Sequence, residues 1–292
     1  MGFSEQLING LALGSMYALL ALGYTMVYGI IKLINFAHGE IYMIGAFAGY
    51  FASNTLGLSL IPTLIVAMAI SALAGIIIEK VAYKPLRNSP RIALLITAIG
   101  VSLLLQNGMK LLVGSNPKAL PELIENKIIS LGGVQINNKT IILFVVSAVL
   151  VIILQFIIYK TKAGKAMRAA SFDTEATQLM GINVNNTISL TFAIGSALAG
   201  IAGVLVAINY PGGINPYMGS MPGLKSFVAA VFGGIGSIPG ALLGGFLMGI
   251  IETFTKAYIS TTFSDAIAFS VLIIILLIKP SGLLGKKISE KV

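Results

Sequence analysis

Asn35, His38 and Glu40 stand together in the run Asn35-Phe36-Ala37-His38-Gly39-Glu40, and His38 is the only histidine in the chain. The run places an amide, an imidazole and a carboxylate near the membrane, and the imidazole could serve as base for a hydroxyl nucleophile. The run lies between two long apolar stretches, where ionisable groups are costly and invite a functional reading. The same residues also suit a helix boundary. Asn35 can cap the following helix, Gly39 can relax the turn, and Glu40 would complement a positive helix N-terminus. Taken singly, each residue fits the boundary better; as a cluster they read as a structural joint beside a pathway. A hydrolase pairing Ser15 with His38 has no Gly-x-Ser-x-Gly elbow behind it. One histidine and no cysteine exclude multi-histidine and thiolate metal centres. No catalytic residue, metal or cofactor is expected.

A second constellation is the polar stretch of residues 160–187. Asp173 can N-cap a short helix, and Glu175 falls in its first turn. Gly181 can end it in the left-handed region, with Ile182 folding back. Between them Ala176, Leu179 and Met180 form one apolar face at helical spacing. Such a helix is either a knob for a partner's groove or a helix lying on lipid or on the protein's own core, and the basic residues before it, Arg168 included, suit lipid. A third group is scattered within apolar runs: Glu79 beside Lys80, Gln106, Asn107 and Glu252. Glu79 reads as interfacial, Gln106 and Asn107 as inter-helix hydrogen bonders, and Glu252 as a pathway residue or a paired carboxylate. No Gly-x-x-x-x-Gly-Lys-Ser/Thr run occurs, so this chain is not expected to hydrolyse ATP by that route.

The elements that must carry these groups follow from composition. Of the 292 residues 57% are hydrophobic and 10% charged, and mean hydropathy is +0.95. Soluble domains carry about 25% charged residues, so the solvent must be lipid. The net charge of +9 then marks topology rather than nucleic-acid binding. A crossing needs roughly 20 apolar residues. Spans are expected at Leu7–Ile31, Ile41–Leu56, Leu60–Val81, Ile92–Val113, Thr140–Tyr159, Ile188–Asn209, Leu224–Tyr258 and Ala266–Ile278. The seventh is too long for one crossing and is interrupted at Gly233, Gly234 and Gly236, so it reads as two helical pieces around a break, tolerable at depth only where protein or water covers the freed backbone. The expectation is an all-α polytopic protein of about eight transmembrane helices with broken or re-entrant segments, forming one domain over residues 1–292.

Three groups of four basic residues hold twelve of the nineteen: Lys80, Lys84, Arg87, Arg91; Lys160, Lys162, Lys165, Arg168; and Lys279, Lys286, Lys287, Lys291. One threading places all three inside. It puts residues 160–187 and the C-terminus in the cytoplasm, and residues 114–139 and the N-terminus outside. The first apolar run lacks a basic flank and reads as a retained helix rather than a signal peptide. Small residues recur four apart (Gly10, Gly14, Ala18; Gly45, Gly49; Gly195, Ala199, Gly203; Gly240, Gly244; Gly245, Gly249), which suits close packing or a sliding surface. Ala12-Leu13-Gly14-Ser15 is echoed by Ala193-Ile194-Gly195-Ser196 on a helix threaded the opposite way, the trace an inverted repeat leaves.

At these residues the chain resembles the LivH-type permeases of branched-chain amino-acid ABC importers. The likeness runs through Gly14-Ser15-Met16-Tyr17-Ala18-Leu19, Asn35–Glu40, Gly164-Lys165-Ala166-Met167-Arg168-Ala169, Leu179-Met180-Gly181-Ile182, Lys225-Ser226-Phe227-Val228-Ala229-Ala230-Val231 and Gly233-Gly234-Ile235-Gly236-Ser237. It ends at Lys279-Pro280-Ser281-Gly282, where the family usually has Arg, so charge is kept and fork geometry lost. The resemblance implies a type II-like ABC importer permease in the bacterial inner membrane, working by alternating access. It implies a LivM-type sister subunit, two cytoplasmic ABC ATPases, an external substrate-binding protein, membrane lipid and no nucleic acid. It assigns Arg168 to Ile182, and so Asp173, Ala176, Leu179, Met180 and Gly181, to ATPase coupling. Ser15, Asn35, His38, Gly39, Glu40, Gly233, Gly234 and Gly236 are the path or joint residues. The competing cargoes are urea, short amides and other amino acids. An ATP-independent channel or secondary carrier is the competing class, and it would have no use for a displayed docking helix.

Overall fold

Long apolar runs become helices here, with Pro62, Pro222 and Pro239 confined to first turns, where a missing N–H costs little; the computed structural model describes residues 2–131, 134–209 and 212–285. Lys286, Lys287 and Lys291 of the basic C-terminal group lie outside the described residues. Helix α1 (Phe3–Ile31) is fixed at its start by the Glu5 carboxylate, which accepts the Gly2 N–H at 2.9 Å. It ends at Lys32 in the left-handed region (φ 54°). After it come α2 (His38–Asn54), α3 (Leu60–Ile78) with a wide π-type turn at Glu79–Tyr83 and a tight turn at Lys84–Leu86, and α4 (Arg91–Val113). Strands β1 (Ile128–Leu131) and β2 (Val134–Asn137) form an antiparallel hairpin in register Ile128↔Asn137. The chain continues through α5 (Asn138–Lys160), α6 (Lys162–Phe172), α7 (Thr174–Leu179), α8 (Val184–Asn209), α9 (Ser220–Gly233), α10 (Ile238–Tyr258) and α11 (Ser264–Ile278).

Six of these helices are long and apolar enough to cross a membrane: α1, α3 with its continuation to Leu86, α4, α5, α8 and α10. The protein is a multi-pass membrane protein. Helices α2, α9 and α11 are shorter, at 17, 14 and 15 residues. Helix α1 is the centre, with Leu19, Leu20, Ala21 and Leu22 wholly buried, whereas α4 and α5 turn most of their surface outward. The two oiliest crossing helices, α5 and α3, are both mostly outward-facing, as expected where lipid is the solvent.

The pairings follow the internal echo. Helix α1 packs on α10 and α8 packs on α3; α2 packs on α8 and α9 on α1; α2 pairs with α3 and α9 with α10. Exchanging α1–α4 with α8–α11 leaves the scheme unchanged. The small-residue stripes make these contacts. A Cβ on Gly249 would stand 2.1 Å from the Gly14 nitrogen, and one on Gly45 would stand 2.2 Å from the Gly200 Cα. Both are distances no packed side chain tolerates.

Two features depart from the sequence expectation. The hairpin interrupts an otherwise all-helical chain, and α6 fills what reads as polar loop. Its lysines disguise a buried face of Gly164, Met167 and Ala170.

Candidate functional site

The Asn35–Glu40 run is a joint between five helices. Its backbone leaves α1, makes a turn in which the Asn35 carboxamide oxygen accepts the Ala37 N–H at 3.1 Å, and enters α2 at His38. The N-cap residue is Ala37, so Asn35 closes the turn ahead of the helix rather than capping it. The same Asn35 oxygen accepts the Tyr83 hydroxyl at 2.8 Å, which ties the turn to the end of α3. The His38 ring packs edge-on against Tyr24 at 4.8 Å and fills the space over Gly23. Its Nε2 has no hydrogen-bond partner among the described residues. Glu40 is 1% exposed. Its Oε1 accepts from Gln106 Nε2 at 2.7 Å and Ser102 Oγ at 3.1 Å, both on α4, and Gln106 also donates to Ser220 of α9.

At this joint the N-terminal ends of α2 and α9 meet. A Cβ on Gly39 would lie 2.4 Å from the Gly219 carbonyl oxygen, and one on Gly223 would lie 2.8 Å from the Gly39 Cα. The junction is level with Gly23 and Tyr24, eight residues before the end of α1, so about 12 Å in from that end. Two short helices thus start from one buried point, and the Glu40 carboxylate sits beside both positive ends.

The break after α9 is also confirmed in form. Gly234 and Gly236 take φ of 109° and 91°, open only to glycine. Ser237 accepts the Gly240 N–H and starts α10. The carbonyls freed at the end of α9 are not left bare: Leu283 N–H donates to Phe232 O and Leu284 N–H to Gly233 O, at 3.0 and 2.9 Å. A Cβ on Gly282 would sit 2.5 Å from Gly234, so the Pro280–Gly282 turn exists to press against the break.

Residues 160–187 form two short helices. Thr161 caps α6 and Asp173 caps α7, the latter accepting the Ala176 N–H at 2.9 Å. Gly181 ends α7 at φ 78°, and the Ile182 N–H folds back to Thr177 O. Arg168 stacks on Tyr159, 5.2 Å from the ring centroid. Thr177 is the buried contact of α7, whereas Phe172, Leu179 and Met180 are 87%, 88% and 81% exposed. Ala176 is exposed with them.

Charge is concentrated at two further places. Glu79 is fully buried rather than interfacial and pairs with Arg87; it also accepts the Ser189 hydroxyl at 2.6 Å. Arg87 carries on to Asn185 at the start of α8. Arg87→Ala leaves the carboxylate buried without its cation, and a loss of about 3 kcal/mol is expected. The check is the melting temperature of the detergent-purified protein; Glu79→Gln added to Arg87→Ala should recover part of the loss. The second place is α10, where Glu252 accepts from Lys225 at 2.8 Å, Lys256 at 2.6 Å and the Tyr17 hydroxyl at 2.6 Å. Lys225 also pairs with Asp265 at 2.6 Å.

Residues 6–276 match the family described as the branched-chain amino acid transport system / permease component. The chain belongs to this permease family. It is 46% identical to the high-affinity branched-chain amino acid transport system permease protein BraD of Pseudomonas aeruginosa, over 99% of this chain and 98% of that one. It is 44% identical to the corresponding LivH of Escherichia coli K12 over the same shares. Among solved structures, PsaBC from Streptococcus pneumoniae in complex with Fab aligns over 95% of this chain and 92% of that one, with TM-score 0.52 and 16% identity. That likeness speaks to the fold alone.

In the permease, then, Asn35, His38, Gly39 and Glu40 are brought to one joint, and Gly233, Gly234 and Gly236 to one break. Ser15 belongs to neither. Its hydroxyl donates to Ala12 O at 2.7 Å, eight residues along α1 from the glycine that His38 covers, so no Ser15–His38 pair forms. Gln106 joins helices as expected, while Asn107 only donates to Leu103 of its own helix. Sequence reasoning missed Tyr83, Ser102 and Ser220, whose roles come from distant neighbours. It also missed Lys225 and Lys256, although a cation near the start of an apolar helix and a Glu–Lys pair four apart were there to find.

Proposed function

We propose that the chain is the membrane-spanning permease subunit of an ATP-binding-cassette importer that carries branched-chain amino acids across the bacterial cytoplasmic membrane. The observation that carries this is near-full-length identity of 44–46% to two permeases named for that transport. In this reading the protein transports and does not itself catalyse; ATP hydrolysis belongs to two cytoplasmic partner subunits. A LivM-type sister chain completes the membrane unit and an external binding protein delivers the cargo. The N-terminus lies outside, and residues 160–187 and the C-terminus lie inside, as the basic groups suggest. The outward Phe172, Leu179 and Met180 then face the ATPases, with a buried Thr177 seating α7 on the bundle. A channel or secondary carrier has no need of such a knob.

Alternating access would rock rigid bundles about the buried joint, where α2 and α9 start in opposite halves of the repeat. The test is reconstitution of the whole assembly in vesicles. ATP-driven leucine uptake is expected, competed by isoleucine and valine and not by urea or acetamide. Urea uptake without leucine uptake, or full leucine uptake with the ATPases left out, would overturn the reading.

A further inference from the structure

The Lys225–Glu252–Lys256 cluster does not merely clamp helices, because it lines a cavity. That cavity, about 280 Å³, lies among α1, α2, α8, α9 and α10. It sits just under the roughly 300 Å³ at which pockets for larger ligands begin, so it has the scale for a single small molecule. One part of its lining is polar, formed by Lys225, Glu252, Lys256 and Tyr17; much of the remainder is apolar, including Met16, Val206 and Met218.

The charges are unevenly committed. An ammonium has three N–H donors. Among the described residues Lys225 commits two, to Glu252 and Asp265, and Lys256 commits one, to Glu252. Donors therefore remain, and Asp265, half-exposed, does not line the cavity. The lining residues Lys225, Glu252 and Lys256 sum to one positive charge. Lysine and glutamate held inside a membrane protein beside a cavity mark a ligand path.

We propose that this cavity is a way station for the cargo. Lys225 and Lys256 receive the carboxylate of an aliphatic amino acid, Glu252 and the Asn215 side chain accept from its ammonium, and the methionine-lined wall takes its side chain. Methionine suits a site that must hold valine, leucine and isoleucine alike, since its unbranched chain repacks around different shapes. The inference rests on the amino-acid importer reading above and adds the place where the cargo stops within this subunit. Residues 213–218 reach the cavity and are pinned by paired backbone bonds between Ile214 and Lys118, at 2.8 and 2.9 Å, so the apolar wall is held in place.

The experiment uses the complete reconstituted transporter and a leucine analogue bearing a diazirine on its side chain. Photolysis should label the stretch 213–222, read by peptide mass spectrometry. Excess leucine should erase the label, and leucinamide, which lacks the carboxylate, should not. Lys256→Gln should lower both labelling and uptake at low leucine about ten-fold, the scale of one charge-assisted hydrogen bond, while Lys256→Arg retains most of each. Ala207→Phe should fill the cavity and remove the label. Labelling elsewhere in wild type, or wild-type uptake and labelling in both Lys256→Gln and Ala207→Phe, would reduce the cluster to a helix clamp and leave the importer reading standing. A wild-type assembly that takes up no leucine under ATP would bring down the importer reading and this inference with it.

Discussion

Leu179→Asp combined with Met180→Asp is expected to abolish ATP-driven uptake while the permease stays folded. Both side chains are more than four-fifths exposed, so neither contributes to the core, and an exposed aspartate costs the fold little. Helix α7 keeps its seat, because its cap is Asp173 and its buried contact is Thr177. What changes is the surface offered to a partner. Burying two large apolar side chains contributes about 3 kcal/mol or more, and the new carboxylates would have to be desolvated besides. That corresponds to at least about a 100-fold loss of docking. The measurement is co-purification of the ATPase subunits with tagged permease, alongside vesicle uptake. Asp173→Ala, which removes only the cap at a cost of about 1 kcal/mol, should give an intermediate result. Full recruitment and uptake by the double variant would remove this segment from coupling.

Gly39→Val is expected to prevent assembly of the joint altogether. The new Cβ would meet the Gly219 carbonyl oxygen at 2.4 Å and the Gly223 Cα at 3.0 Å. Both are backbone atoms, and neither can swing aside as a side chain would. Overpacking in a core costs about 1–3 kcal/mol where side chains can yield; here the two short helices would have to part. Parting them would also break the bridge that Gln106 makes between Glu40 and Ser220. Yield in the membrane should fall steeply, with uptake lost. Gly29→Val is the matched control, since nothing lies within 4 Å of a Cβ there. A Gly39→Val protein with normal yield and uptake would show that α2 and α9 do not need to touch.

What could be read from the sequence was local. Asp173 and Gly181 announce a short capped helix because capping depends on neighbours a few residues away. The Gly233–Gly240 run announces a break for the same reason. The hairpin was legible too, since Gly132-Gly133 between Ile128–Leu131 and Val134–Asn137 is a hairpin signal. It passed for loop because its strands are only four residues long. What stayed hidden was tertiary. Glu79, beside Lys80 at a helix end, reads as interfacial; the helix instead buries it against Arg87 and Ser189. Glu40 read as a first-turn anion, and no local pattern reveals that Ser102 and Gln106, more than sixty residues on, complete its site. The internal echo left a few matching small residues in the sequence, while the exchange of partners between α1–α10 and α8–α3 is plain in three dimensions.

The two backbone bonds from Leu283 and Leu284 to the end of α9 bear on how the molecule is made. A ribosome releases α9 and α10 well before residues 283–284 emerge, so the bend between those helices first forms without these two donors. The nascent chain would wait with two carbonyls in want of donors, and the late-arriving turn at Pro280–Gly282 would act as its latch. Shortening the protein after Ile278 would leave every crossing intact on paper and still remove both donors, at about 1 kcal/mol for each bond.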